Sequence, residues 1–290
     1  MKIDAHQHFW SYNTTDYGWM TADQSSLRRD FLPRDFEPVL RHSGFEGSIA
    51  VEARQLLAET EWLLDLADRH EFIKGVVGSV DLRSDRVEEQ LAKYATHSKL
   101  RGVRHVVHDE PDDDFILGAD FQRGIARLAQ FDLRYDLLVF PRHLANTIKL
   151  VGRFPDQPFV VDHLAKPNIR HGALSPWREL MRQLADFPNV SCKLSGLVTE
   201  ADWSRWRPAD LIPYLNVAFE AFGAERLMIG SDWPVCTLAG SYQTVMSVVL
   251  DYAAALDERA RRGVLGENCA RVYSIVEPEV KRTSMPPRAG

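Results

Sequence analysis

Cysteine is scarce. Cys192, Cys236 and Cys269 are the only three in 290 residues, they are far apart, and none belongs to a CxxC pair. An odd, scattered set argues against a disulfide framework or a thiolate metal centre and points to buried free thiols in a reducing compartment. Long apolar runs are missing as well: nothing approaches the ~18 residues of a membrane span. The opening MKIDAHQHF has no apolar stretch of the secretory kind, because Asp4, His6 and His8 interrupt it, so a cytoplasmic protein is expected. There is no excess of positive charge. Thirty-five Lys and Arg against 41 Asp and Glu leave a formal charge of −6, and no basic block offers nucleic acid or an anionic membrane a footing. Neither GxGxxG nor GxxxxGK[ST] follows any apolar run, so no dinucleotide or P-loop site is read and no organic cofactor is expected. Internal repeats and low-complexity segments are also lacking.

What is present is an alternation. Short apolar runs recur at Ile3 to Phe9, Gly47 to Arg54, Ile73 to Leu82, Leu100 to Val107, Arg134 to Phe140, Pro158 to Leu164, Val190 to Leu197 and Arg226 to Trp233. Helical patterns lie between them. Trp177, Leu180, Met181 and Leu184 follow i, i+3, i+4, i+7 spacing, with Ser175 as the expected cap and Pro176 at the first helical position. Val87, Leu91 and Tyr94 do the same behind an expected Asp85/Glu88 capping box. Strands alternating with helices imply parallel βαβ units, and eight such units at this length predict a single-domain α/β (β/α)8 TIM barrel over residues 1–276. An open doubly wound sheet is the other arrangement this pattern allows. Residues 277–290, with Pro278, Pro286 and Pro287, read as a loose tail.

In such a barrel, chemistry sits where strands end. His6 and His8 end the first strand, on one face by alternation, and can chelate a divalent ion or bind a substrate oxygen. Asp232 ends the eighth strand, beside the first in a closed barrel; its alternative role is to cap the next turn. His163 ends the sixth strand after a wholly apolar run, where an ionisable group is costly without a partner; if Asp162 caps a helix there, His163 is incidental. The loop after the first strand is long and aromatic (Trp10, Tyr12, Tyr17, Trp19), that after the fourth is acidic, and that after the seventh carries Trp203 and Trp206. Aromatic loops on this face suit a sugar-like substrate, or simply pack.

The runs IDAHQHFW, VVDHLAKP, CKLSG, IGSDWPVC and GENCARVY, spread over essentially the whole chain, resemble the amidohydrolase superfamily, in its branch of L-fuconolactonase- and L-rhamnonolactonase-type sugar lactonases. The resemblance implies the barrel and carries His6, His8, His163 and Asp232 over as catalytic positions. It implies hydrolysis of an aldonolactone, with L-fuconolactone the first candidate. The chain departs from the metal-rich members, which place a modified Lys or a Glu on strand 4 and a His at the end of strand 5; strand 4 here has neither and strand 5 has no His. A binuclear centre is therefore not expected. His6, His8 and Asp232 can hold one Zn2+, which the reaction need not require. Asp232 is read as the base on water, with His6, His8 and His163 polarising the carbonyl. Trp10, Trp19, Arg104 and Lys193 are candidates for substrate binding, His105 and His108 weaker ones; Arg104 and Lys193 have barrel-floor ion pairs as their other reading. A metal-dependent decarboxylase and a non-catalytic small-molecule-binding barrel are the alternatives. The expected partner is a small-molecule lactone, with no nucleic acid or membrane, on a monomer or small homo-oligomer.

Overall fold

The computed structural model describes residues 1–276; the expected tail at 277–290 lies outside the described residues. Eight strands follow one another around a parallel sheet: β1 (Ile3–Gln7), β2 (Gly47–Val51), β3 (Ile73–Gly78), β4 (Leu100–Val106), β5 (Arg134–Leu138), β6 (Phe159–Val161), β7 (Val190–Leu194) and β8 (Leu227–Ile229). Backbone bonds from Asp232 N–H to the His6 carbonyl (2.8 Å) and from His8 N–H to the Trp233 carbonyl (2.7 Å) join the ends of β8 and β1. The sheet is thereby closed into the expected barrel rather than left open. Between the strands run α1 (Pro33–His42), α2 (Leu57–Arg69), α3 (Val87–Ala95), α4 (Ala119–Leu128), α5 (Leu144–Arg153), α6 (Trp177–Ala185) and α7 (Pro208–Phe222); α8 (Tyr242–Ala254), α9 (Glu258–Arg262) and α10 (Asn268–Val272) follow β8. No helix among the described residues is long and apolar enough to cross a membrane.

The strands are largely apolar on both sides because both sides are covered, as parallel sheets require. Outward residues such as Ala50, Tyr135, Leu137, Phe159, Val161, Leu227 and Ile229 pack under the helices in one continuous core. Inward residues Ile3, Ala5, Ile49, Val51, Val77, Val160 and Met228 form a second cluster inside the barrel, closed from below by Cys269 and Tyr273 of the final helical turn.

Both expected helix starts are displaced. The α6 helix begins at Trp177 with Pro176 at its cap position and no side-chain cap bond, so Ser175 does not cap it. The α3 helix is likewise uncapped, with Arg86 at the cap position. Asp85 and Glu88 turn outward instead to Arg123 and Arg127 of α4: ion pairs between neighbouring helices displace the local capping box.

Candidate active site

The pairing of β1 with β2 slips by one residue between Asp4 and Gln7. A bulge of this kind re-aims side chains and is common beside active sites. Here it turns Ala5 into the apolar barrel cluster and His6, its neighbour, into the polar cluster above it. Beyond the slip, alternation resumes: Gln7 points outward to Ser48 of β2 (3.3 Å), and His8 returns to the mouth.

Four side chains predicted from three strand ends meet there. Asp232 Oδ1 lies 3.3 Å from His8 Nε2, 3.8 Å from His163 Nε2 and 4.0 Å from His6 Nε2. All four residues are buried. Neither Asp232 nor His163 is placed by regular structure: both have left-handed backbones, φ 58° and 53°, a conformation that costs a non-glycine residue of order 1–2 kcal/mol. Gly196 follows β7 with φ +63°, and a Cβ there would stand 2.6 Å from His163 Nδ1. Only glycine leaves that imidazole its place.

A layer of buried charge supports these four from beneath. Asp162 Oδ1 lies 3.2 Å from His6 Nδ1 and 2.9 Å from Lys193 Nζ, and Asp162 Oδ2 accepts from Arg104 Nη1 at 3.1 Å. Arg104 Nε donates to Glu52 at 2.8 Å, Lys193 Nζ to Asp136 at 2.5 Å, and the Tyr273 hydroxyl to Asp136 at 2.8 Å. Burial raises the Asp162 carboxyl, but Lys193, His6 and Arg104 outweigh it and hold it well below the usual range. Asp162 is therefore no helix cap. The sequence offers it only as a cap and passes over Glu52 and Asp136 altogether. Their signal is a lone acid within or directly after an apolar strand, where burial without a partner is prohibitive.

The titrations follow from the same burial. Loss of solvent holds His6 and His163 well below the ordinary imidazole value, so both are neutral at neutral pH. Burial pushes Asp232 up, but the imidazole of His163 first, then that of His8 and the Lys166 ammonium, outweigh it, and the carboxyl stays ionised below its usual value.

The donor set suits a divalent cation. His8 Nδ1–H donates to the Val51 carbonyl at 2.9 Å; a carbonyl only accepts, so His8 Nε2 carries a lone pair. Arg104 Nη1, which can only donate, lies 3.4 Å from His6 Nε2, so His6 also turns a lone pair inward, toward the His8 Nε2 3.1 Å away. Two such nitrogens and Asp232 Oδ1, with outer bonds orienting each imidazole, form a three-ligand set with room for water. His6, His8 and Asp232 present ligand atoms within 4.8 Å of one another, as do His6, Asp162 and His163.

Above the four lies a cavity of about 340 Å3, lined by His8, Trp10, Trp19, Arg104, His108, His163, Lys166, Glu200, Trp203 and Asp232 among others. Trp10 is fully buried and its indole N–H donates to the Arg29 carbonyl at 2.9 Å, which anchors the long β1 loop. Trp19, standing on it edge-on, is 38% exposed. Two candidates do not reach the cavity. Lys193 is sealed in the charge layer, its ion-pair reading. His105 turns outward, bonded to Glu110 at 2.7 Å and stacked on Phe115. His108, the weaker candidate, does line it, stacked on Phe140; burial, with Lys166 and Arg104 nearby, pushes its imidazole down to about 3.

A family model described as amidohydrolase matches residues 3–275. The chain belongs to the amidohydrolase family. Among its curated relatives, a Burkholderia multivorans protein named L-fucono-1,5-lactonase is 44% identical over 289 residues, covering 96% of this chain and 97% of that protein. A Burkholderia ambifaria protein of the same name is 39% identical, with 96% and 97% covered. A crystal structure of a Burkholderia multivorans amidohydrolase with bound zinc superposes with a TM-score of 0.91 at 43% identity, covering 95% of this chain and all of that one. This amidohydrolase thus matches lactonase-named relatives over nearly all of its length and shares its barrel with a solved amidohydrolase.

Proposed function

We propose that this amidohydrolase hydrolyses an aldonolactone, L-fucono-1,5-lactone first among them, to the aldonic acid. The observation that carries the reading is one ionised carboxylate, Asp232, within 4.0 Å of three imidazole Nε2 atoms at the floor of the cavity, in a chain with full-length relatives named for that reaction. Those names favour hydrolysis over decarboxylation or binding alone.

Asp232 takes a proton from water, and the hydroxide attacks the lactone carbonyl carbon. His163, held by Ser195 Oγ at 2.9 Å from its Nδ1, and the Arg104 guanidinium face the developing oxyanion. The ring C–O bond breaks, the departing alkoxide takes the proton back from Asp232, and the acid ionises to solvent. We assign His6, His8 and Asp232 as ligands of one zinc ion, which when bound supplies Lewis-acid polarisation. Trp19 and the anchored Trp10 wall the substrate side. The three buried, unpaired thiols suit a reducing cytoplasm.

The test is kcat/KM across L-fucono-, L-rhamnono- and L-galactonolactone against a plain aliphatic lactone, read by acid release. A tenfold win for the aliphatic compound, about 1.4 kcal/mol of transition-state preference, would overturn the sugar reading. Elemental analysis of protein grown with excess zinc should return at most one equivalent per chain, since β5 offers Asp136 bound to Lys193 and Tyr273 where a second site would need a free ligand. Two equivalents would refute it.

A further inference from the structure

His163, Leu164, Ala165 and Lys166 have successive φ values of 53°, 50°, 55° and 52°. Four non-glycine residues thus make one left-handed turn, closed by Lys166 N–H donating to the His163 carbonyl at 2.8 Å. Each residue resists that conformation, and surrounding contacts impose it: Leu164 and Ala165 are buried, and the Trp177 indole N–H donates to the Leu164 carbonyl at 2.7 Å. Such strain collects at functional sites. At about three residues per turn, side chains three apart share a side, so the turn that aims His163 at Asp232 delivers Lys166 to the same cavity.

There Lys166 Nζ meets Glu200 Oε1, from the loop after β7, at 2.5 Å, both side chains largely shielded from solvent. Among the described residues no other hydrogen bond reaches either head group. An ammonium has three donors and a carboxylate two accepting oxygens, so the pair keeps spare capacity of both signs. Trp203 lines the same cavity, and its indole N–H is taken up by the Thr199 carbonyl at 2.9 Å, leaving an apolar ring beside the pair. A donor next to an acceptor beside an aromatic wall is the complement of a vicinal diol on a sugar ring.

We propose that Lys166 and Glu200 form a specificity-determining pair that reads two neighbouring hydroxyls of the lactone ring. This rests on the polyhydroxylated-lactone reading above. One hydroxyl donates to Glu200, its neighbour accepts from Lys166, and the left-handed turn holds them in fixed relation to the hydrolytic carboxylate.

Lys166→Met and Glu200→Gln should each lower kcat/KM on L-fucono-1,5-lactone by about tenfold or more, chiefly through KM, because a site built to bond hydroxyls leaves its polar groups unmatched. The loss should be at least tenfold larger than on δ-valerolactone, which has no hydroxyls, and the double variant should lose little beyond the worse single one. Equal losses on both lactones, or less than threefold on the sugar lactone, would overturn the pair. Equal losses with a shared fall in Tm by circular dichroism would make it a loop clasp instead. If the wild-type protein hydrolyses neither lactone, the lactonase reading fails separately, and calorimetric binding of neutral L-fucose decides: weaker binding by both variants supports the pair, unchanged binding refutes it.

Discussion

The two ends of the barrel interior are made of opposite materials. The lower end is Ile3, Ala5, Ile49, Val51, Val77, Val160 and Met228, stoppered by Cys269 and Tyr273. The upper end is His6, His8, Glu52, Arg104, Asp162, His163 and Asp232, all buried and nearly all bonded to one another. The seam between them is Lys193, whose ammonium bonds Asp136 and Asp162, with the Tyr273 hydroxyl reaching up to Asp136. The difference teaches how a barrel separates duties. Apolar packing needs no partner and stabilises wherever it is closed off from water, so it fills the end that only has to hold together. Buried charge is tolerated only when matched, so the upper end is a network in which each group fixes another's position.

That division can be broken or sharpened by experiment. The largest effect belongs to the upper end. Asp232→Asn should cut kcat by ~10²-fold or more with little change in Tm, since Asn tolerates the left-handed backbone as Asp does. Near-normal kcat would remove Asp232 from the chemistry and with it the functional meaning of the upper end. Next comes the seam. Lys193→Met strands Asp136 and Asp162 as uncompensated buried charges and should cost about 3–5 kcal/mol in a urea titration. A cost below about 1 kcal/mol, the value of an exposed pair, would show that the two ends are not joined there. The smallest effect belongs to the lower end: Ile49→Val should cost about 0.5–1.5 kcal/mol and leave kcat where it was. A severalfold change in kcat would mean that apolar packing below the seam sets the geometry above it.

Much of this was legible in residue order. The eight apolar runs became eight strands, shortened mainly where they turn into loops, because the polar ends of those runs belong to the site. The strand ends carrying His6, His8, His163 and Asp232 named the residues that meet. Helix starts were less legible: Asp85 and Glu88 had the right spacing for a capping box, but Arg123 and Arg127 on a neighbouring helix won them. Lys193 and His105 show the limit from the other side. Both lie on strands beneath the mouth, yet one is sealed in the charge layer and the other faces outward.

Local order by itself determined the alternation of elements, and so a parallel sheet covered on both faces; the bonds that join β8 to β1 decided for the closed barrel over the open sheet. Local order also determined which residue types stand at the strand ends. Tertiary structure decided the rest. The slip in β1 that brings Ala5 and His6 both inward is a register shift against β2, which no single strand encodes. Asp162 became the partner of His6, Arg104 and Lys193, and Asp136 that of Tyr273, 137 residues away, because a closed barrel brings together inward side chains that the chain keeps far apart. The left-handed backbone of His163 is held by Trp177 and by the open space over Gly196, contacts that exist only once the fold has formed.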